Sequence, residues 1–241
     1  EEGRAEDEMQ HRVRVTNPFY FGVHEVTVGE FRKFAEAAGY ETEAEKVGWA
    51  LDLTKVNEAT REKILQWYVE NANIDLSAIP EDEWDGIRAM ARRGVSWETV
   101  GWQDESHPVV NVSWKDARAY CRWLGKKEGR EYRLPTEAQW EYSCRAGTET
   151  PYAWGASDSG SVVKSHCWYG ANANSSAWQS PHATSEGTQP VGGKLANAWG
   201  LYDMNGNVQE WCADWYGNDY SERSRAADPV GSSSGSERVV R

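Results

Sequence analysis

The 241-residue sequence predicts an α+β fold with little regular secondary structure, on three observations. A short apolar strand followed by a capped helix occurs twice, and a third capped helix comes after them. From Gly155 to Gly193 the chain is mostly Gly, Ser, Asn and Ala, with Trp168, Tyr169 and Trp178 scattered through it. So long an irregular stretch needs something other than a ladder to hold it, such as aromatic packing, bound ions or disulfides. With 14 Trp and 11 Tyr, the chain has ample material for the first of these.

In "HRVRVTNPFYFGVHEVT", Val13, Val15 and then Phe19, Phe21 and Val23 alternate with polar neighbours, the period of a half-buried strand pair broken at Asn17-Pro18. A helix follows in "TVGEFRKFAEAAG": Thr27 and Glu30 form a capping box, Phe31, Phe34, Ala35 and Ala38 recur at helical spacing, and Gly39 is the stop. Residues 56–94 read as an inserted helical segment. It holds "NEATREKILQWYVENA" and "PEDEWDGIRAMARRG", whose apolar positions Ile64, Leu65, Tyr68 and Trp84, Ile87, Met90 are packing faces. "HPVVNVSWKDARAYCRWLGKKEG" repeats the first unit, with Ser113 and Asp116 at the helix start and Ala117, Tyr120, Cys121 and Leu124 on one face. The third helix opens at Thr136 and Gln139 behind Pro135 and ends at Gly147. At the end, "GNVQEWCADWYG" and a polar loop lead to "RVVR", which begins a strand with no evident partner.

The formal charge of −12, with no Lys/Arg cluster, argues against a nucleic-acid partner. No window approaches the roughly 18–20 apolar residues of a membrane span, and no signal-peptide series opens the chain. The expectation is a soluble protein of unassigned compartment whose acidic first residues look like the start of an excised segment. The histidines, His11, His24, His107, His166 and His182, share no metal-binding spacing. Cys121, Cys144, Cys167 and Cys212 include no C-x-x-C pair, and each reads as a disulfide partner or a buried thiol.

"GLYDMNGNVQEW", Gly200 to Trp211, carries Asp203, Asn205, Asn207 and Glu210 around an Asn-Gly turn dipeptide. The residues alone allow a hairpin or a cluster of oxygen ligands around a cation.

"HPVVNVSWKDARAYCRWLGKKEGREYRLPTEAQWEYSCRAGT" and "GKLANAWGLYDMNGNVQEWCADWYG", with the earlier "HEVTVGEFRKFAEAAGYETEAEK", strongly resemble the formylglycine-generating enzyme family, or sulfatase-modifying factor domain. The resemblance covers most of the chain outside residues 56–94. It implies a single domain over residues 1–241, related to C-type lectin folds and incomplete at its C-terminus. For enzymatic members it implies oxidation of a cysteine in a sulfatase polypeptide to formylglycine, with molecular oxygen and a copper ion held by two cysteine thiolates, the soft ligands that Cu(I) prefers. Those cysteines belong to a family segment beyond "RVVR", so the 241 residues alone are expected to be inactive. Cys121 and Cys144 match positions that in some members form disulfides with that segment.

By position, the resemblance makes Asp203, Gly206, Val208 and Glu210 the ligands of one structural calcium ion, Gly206 and Val208 through their carbonyls; Asn207 is left out. A second family site would draw on Asn172 or Asn174, but its downstream carboxylate falls near Ala183. Gln209 stands where enzymatic members usually carry an aromatic residue near the active site. The reading is therefore a formylglycine-generating-type domain acting on a sulfatase if the whole protein supplies the copper cysteines. The alternative is a non-catalytic module that binds a protein or small ligand, like the variable proteins of diversity-generating retroelements. A third option, the scaffold half of an ergothioneine-pathway sulfoxide synthase, lacks its histidine motif here.

Overall fold

The computed structural model describes residues 12–47, 49–51, 91–93, 97, 103–169, 172, 187–217 and 227–241. Its elements in chain order are α1 (Val28–Ala38), α2 (Glu43–Val47), β1 (Trp49–Leu51), β2 (Ala91–Arg93), α3 (Trp114–Glu128), α4 (Glu137–Arg145), α5 (Gly160–His166), β3 (Trp211–Trp215) and β4 (Arg238–Val240). Helices and two small sheets make the described part α+β, with the sheets limited to the antiparallel pairs β1-β2 and β3-β4.

The long helices start where local chemistry says they should. Thr27, Ser113 and Thr136 each accept a hydrogen bond from the backbone N–H three residues on, and the side chains of Glu30, Asp116 and Gln139 in turn accept one from the cap N–H. Gly39 and Gly129 close α1 and α3 in the left-handed conformation that glycine adopts without a Cβ penalty. Helix α4 ends one residue earlier than the sequence suggests, at Ala146 with φ 48°, so Gly147 lies outside it. Asp116 does more than cap: fully buried, it also accepts from the Tyr40 hydroxyl at 2.8 Å and so joins α3 to the exit of α1. We expect Thr27→Ala, which removes one half of the α1 box, to cost about 1 kcal/mol in urea unfolding, as lost N-caps generally do.

One core forms where α1 crosses α3. Val28, Phe31, Phe34, Trp97 and Tyr120 are buried together, with Trp123, Val109 and Val112 packed around them. Phe31 meets Phe34 edge-on at 5.2 Å and stacks on Tyr120 at 6.0 Å, so aromatic packing fills space that ladders would fill in a more regular fold. A second cluster, Cys144, Leu201 and Met204 with Phe21 and Trp140, joins α4 to the loop around residue 203.

Both predicted strands before α1 and α3 are irregular. They meet over a single antiparallel bridge, Thr27 to Pro108, flanked by Val109 N–H to Val26 O (2.9 Å) and Val28 N–H to His107 O (2.8 Å). Pro108 has no N–H to extend the ladder. Further upstream, Asp228 takes the place of a strand partner by accepting from the Thr16 N–H at 2.7 Å and from the Thr16 hydroxyl.

Of the predicted helical insertion, residues 91–93 are a strand paired to residues 49–51, with Trp49 opposite Arg93 and Leu51 opposite Ala91. Pairing overrides the helical preference of that stretch; residues 52–90 lie outside those described. The short helix α5 appears inside the stretch read as loop. Ser159 makes no side-chain cap and none of its residues is buried, so neither signal marked it in the sequence. "RVVR" does have a partner, since β4 pairs with β3 across a register shift between Trp211 and Trp215. Among the described residues no helix is long and apolar enough to cross a membrane.

Candidate functional site

Asn197 builds the floor of the site. Its Nδ2 donates to the carbonyls of Ser143 (2.8 Å) and Cys144 (3.3 Å) at the end of α4, while its Oδ1 accepts from Trp199 and Leu201 N–H at 3.0 and 3.1 Å. The chain leaves this staple through Gly200, where φ is 81°, and Tyr202 N–H reaches Val23 O at 2.9 Å, placing residues 202–203 beside residues 23–25.

Asn205-Gly206 bends the chain as the sequence implies, but the hairpin that the residues alone allow does not form. The bend is a turn in which Gly206 N–H donates to Asp203 O (3.2 Å), with Asp203 and Asn207 at φ 57° and 67°, and no ladder flanks it. Short polar side chains tolerate the left-handed region, which is why Asp and Asn occupy both positions. Gly206 is required by crowding: a Cβ there would lie 2.2 Å from the Trp168 carbonyl oxygen. Asn207 then fastens the neighbouring loop, its Oδ1 accepting from Gln189 N–H at 2.8 Å and its Nδ2 donating to Gln189 O at 3.1 Å.

Three carboxyl groups interact across this turn. Asp203 is 3 % exposed; its Oδ2 accepts from Gly192 N–H at 2.6 Å, whereas its Oδ1 is buried with no partner. Glu25 is buried beside the Asp203 carboxyl group and the Asn207 side chain, and neither of its oxygens has a well-formed donor. Glu210 Oε2 accepts from Trp140 Nε1 at 3.0 Å. Burial, then the negative charges of Asp203 and Glu210, pushes Glu25 up to about 8. Burial and the Asp203 charge raise Glu210 to about 7, against the counteracting bond from Trp140. Asp203 is raised as well, chiefly by burial. Buried oxygens without donors are costly, and an unpaired carboxylate most of all, so this arrangement is short of positive charge. Beside it, a cavity of about 60 Å³ is bordered by Asp203, Asn205, Asn197, His166 and Trp154.

Of the four ligands expected from sequence, the structure places Asp203 and Glu210 within electrostatic reach of one another, and the Gly206 carbonyl accepts from Val208 N–H at 2.9 Å. Among the described residues no three His, Cys, Asp or Glu side chains are grouped as a metal site by themselves. A cation here would need backbone carbonyls in addition to the carboxylates, the mixed oxygen set that calcium takes. Glu25 is the residue that sequence reasoning missed. It continues the parity of Phe19, Phe21 and Val23, an acid in step with an apolar alternation, and that was the available signal.

The remaining candidates fall outside this cluster. Asn172 turns its amide inward, its Oδ1 accepting from Tyr169 N–H and its Nδ2 donating to Cys167 O, both at 2.8 Å. Asn174 and Ala183 lie outside the described residues. Gln209 is exposed. All four cysteines are free, and burial pushes Cys121 and Cys144 up to about 11, with Cys167 and Cys212 also raised. None is a thiolate near neutral pH.

Comparison with known proteins gives a consistent picture. Residues 1–241 match the family described as sulfatase-modifying factor enzyme 1-like domain. The chain is 35% identical over 236 residues to a formylglycine-generating enzyme of Streptomyces coelicolor, covering 96% of this chain and 68% of that protein. It is 34% identical over 210 residues to the inactive C-alpha-formylglycine-generating enzyme 2 of Bos taurus, covering 83% of this chain and 60% of that protein. Among solved structures, PvdO from Pseudomonas aeruginosa superposes with a TM-score of 0.61 at 26% identity, covering 96% of this chain and 68% of that one.

Proposed function

The chain belongs to the sulfatase-modifying factor enzyme 1-like family, and from that premise we propose that it is the scaffold of a formylglycine-generating-type domain, organised around a structural calcium ion. The observation that carries the calcium reading is the set of buried oxygens on Glu25 and Asp203 that lack well-formed donors, next to the Glu210 carboxyl. Asp203 and Glu210 would supply carboxylate ligands and Gly206 and Val208 carbonyls, and the lectin-like architecture would be held by that ion and by aromatic packing in place of long ladders.

The oxidation that the family resemblance implies would act on a cysteine of a sulfatase polypeptide. Copper would supply one-electron and oxygen chemistry when bound by two thiolates. The four cysteines of these residues do not offer such a pair: they are separate thiols held protonated by burial. The 241-residue chain is therefore expected to produce no formylglycine from a cysteine-containing sulfatase peptide in the presence of copper, measured by mass spectrometry of the peptide. Conversion above a copper-only blank would overturn this reading.

A specific observation favours a second reading, that of a non-catalytic module binding a protein or small ligand. Gln209 is polar and exposed at a position where the resemblance leads one to expect an active-site aromatic. The similarity to a relative named inactive is of the same order as that to a relative named an enzyme. Oxygen consumption by the whole protein with copper and the same peptide separates the two.

A further inference from the structure

We propose that cation binding at the Asp203 and Glu210 site and docking of β4 onto β3 are one coupled equilibrium, with Arg241 as the positioning residue that joins them; this rests on the calcium reading above. The residue whose carboxyl group belongs to the cluster is also a backbone partner of Arg241. Glu210 N–H donates to Arg241 O at 2.5 Å and Arg241 N–H donates to Glu210 O at 2.9 Å, a reciprocal pair that continues the β3-β4 ladder.

The side chains close the same circuit through α4. The Arg241 guanidinium pairs with the Glu137 carboxylate in the first turn of that helix. One turn further along, Trp140 donates its Nε1 to Glu210 Oε2. The Glu137 N–H donates to Asp214 of β3 at 2.9 Å, and Ala213 N–H of β3 donates to Pro135 O at 2.7 Å. Helix α4, β3 and β4 thus hold Glu210 by its backbone on one side and its carboxyl group on the other. Behind them Val239 is buried, and the Arg238 guanidinium lies 3.6 Å from the Trp114 ring centre and 3.3 Å from that of Trp215.

A cation that fixed the Glu210 carboxyl group would also fix the backbone with which Arg241 pairs. By reciprocity, whatever holds Arg241 must raise cation affinity by the same factor that the cation tightens β4.

The test is hydrogen exchange and calorimetry on the 241-residue chain. Calcium should slow amide exchange in residues 210–215 and 238–241 about tenfold while leaving the amides of α1 unchanged. Arg241→Ala should weaken calcium binding about fivefold or more, the lower end of ordinary coupling. Glu137→Gln, which keeps the shape and removes the ion pair, should shift affinity in the same direction and serves if Arg241→Ala folds poorly. Lys115→Ala, which breaks an exposed pair with Glu43, should change nothing. If the wild type binds calcium but exchange at 238–241 and the affinity of both variants stay the same, the coupling is wrong and the site stands. If the wild type binds no calcium, both fall.

Discussion

Millimolar calcium is expected to raise the unfolding temperature of the chelator-treated chain by about 5–10 °C, and Glu210→Gln is expected to abolish the rise. A ligand that binds only the folded state adds about 2.7 kcal/mol at a hundredfold excess over its dissociation constant. For a domain of this size each kcal/mol moves the midpoint by roughly 2–4 °C. The glutamine keeps the volume of Glu210 and can still face the Trp140 N–H through its amide oxygen, but it brings no negative charge. Loss of the shift with little loss of basal stability would therefore identify charge, and not packing, as the contribution of Glu210. Differential scanning calorimetry with and without calcium is sufficient, and an equal shift in wild type and variant would remove Glu210 from the ligand set.

The second large effect is in pH. Glu25 is raised from 4.5 to about 8 and Glu210 from 4.5 to about 7 in the folded chain. Between roughly pH 4.5 and 8 the folded state therefore retains protons that the unfolded state has released, and stability must fall as pH rises through that window. Each unit of upward shift corresponds to roughly 1.4 kcal/mol, so the loss for the metal-free chain amounts to several kcal/mol. This is opposite to the common pattern in which salt-bridged carboxylates favour neutral pH. Calcium bound as proposed would compete with those protons, so its affinity should increase over the same window and flatten the decline. Unfolding midpoints measured from pH 5 to 8.5, with chelator and with calcium, check both halves; a metal-free chain more stable at pH 8 than at pH 5 would contradict the burial of Glu25.

Much of the helical part of this architecture is legible from sequence because its information is local. Thr27 with Glu30, Ser113 with Asp116, and Thr136 with Gln139 each lie within one turn, and all six side chains make the bonds their spacing implies. The pairings are a different matter. Whether "RVVR" has a partner depends on Trp211–Trp215, more than twenty residues earlier, and nothing within four residues of Arg238 carries that information. Likewise, the alternation from Val13 holds as far as Phe21, but Val23 is exposed, and the backbone of this stretch is met by a single bridge to Ala227, by Asp228 and by Tyr202 instead of by a regular strand partner. At the site, Asp203 and Glu210 stand out because they share one short motif, whereas Glu25 is brought to them by a long-range contact, Tyr202 N–H to Val23 O.

The ladder between residues 49–51 and 91–93 bears on how this family can diversify. Because Leu51 and Ala91 are paired, the two ends of whatever lies between them are pinned at the spacing of adjacent strands, about 5 Å apart. Doubling such a loop adds only about 0.6 kcal/mol of closure entropy. The ladder thus works as a socket: it fixes where the chain leaves at Leu51 and re-enters at Ala91, at an entropic cost that depends only weakly on the length between them.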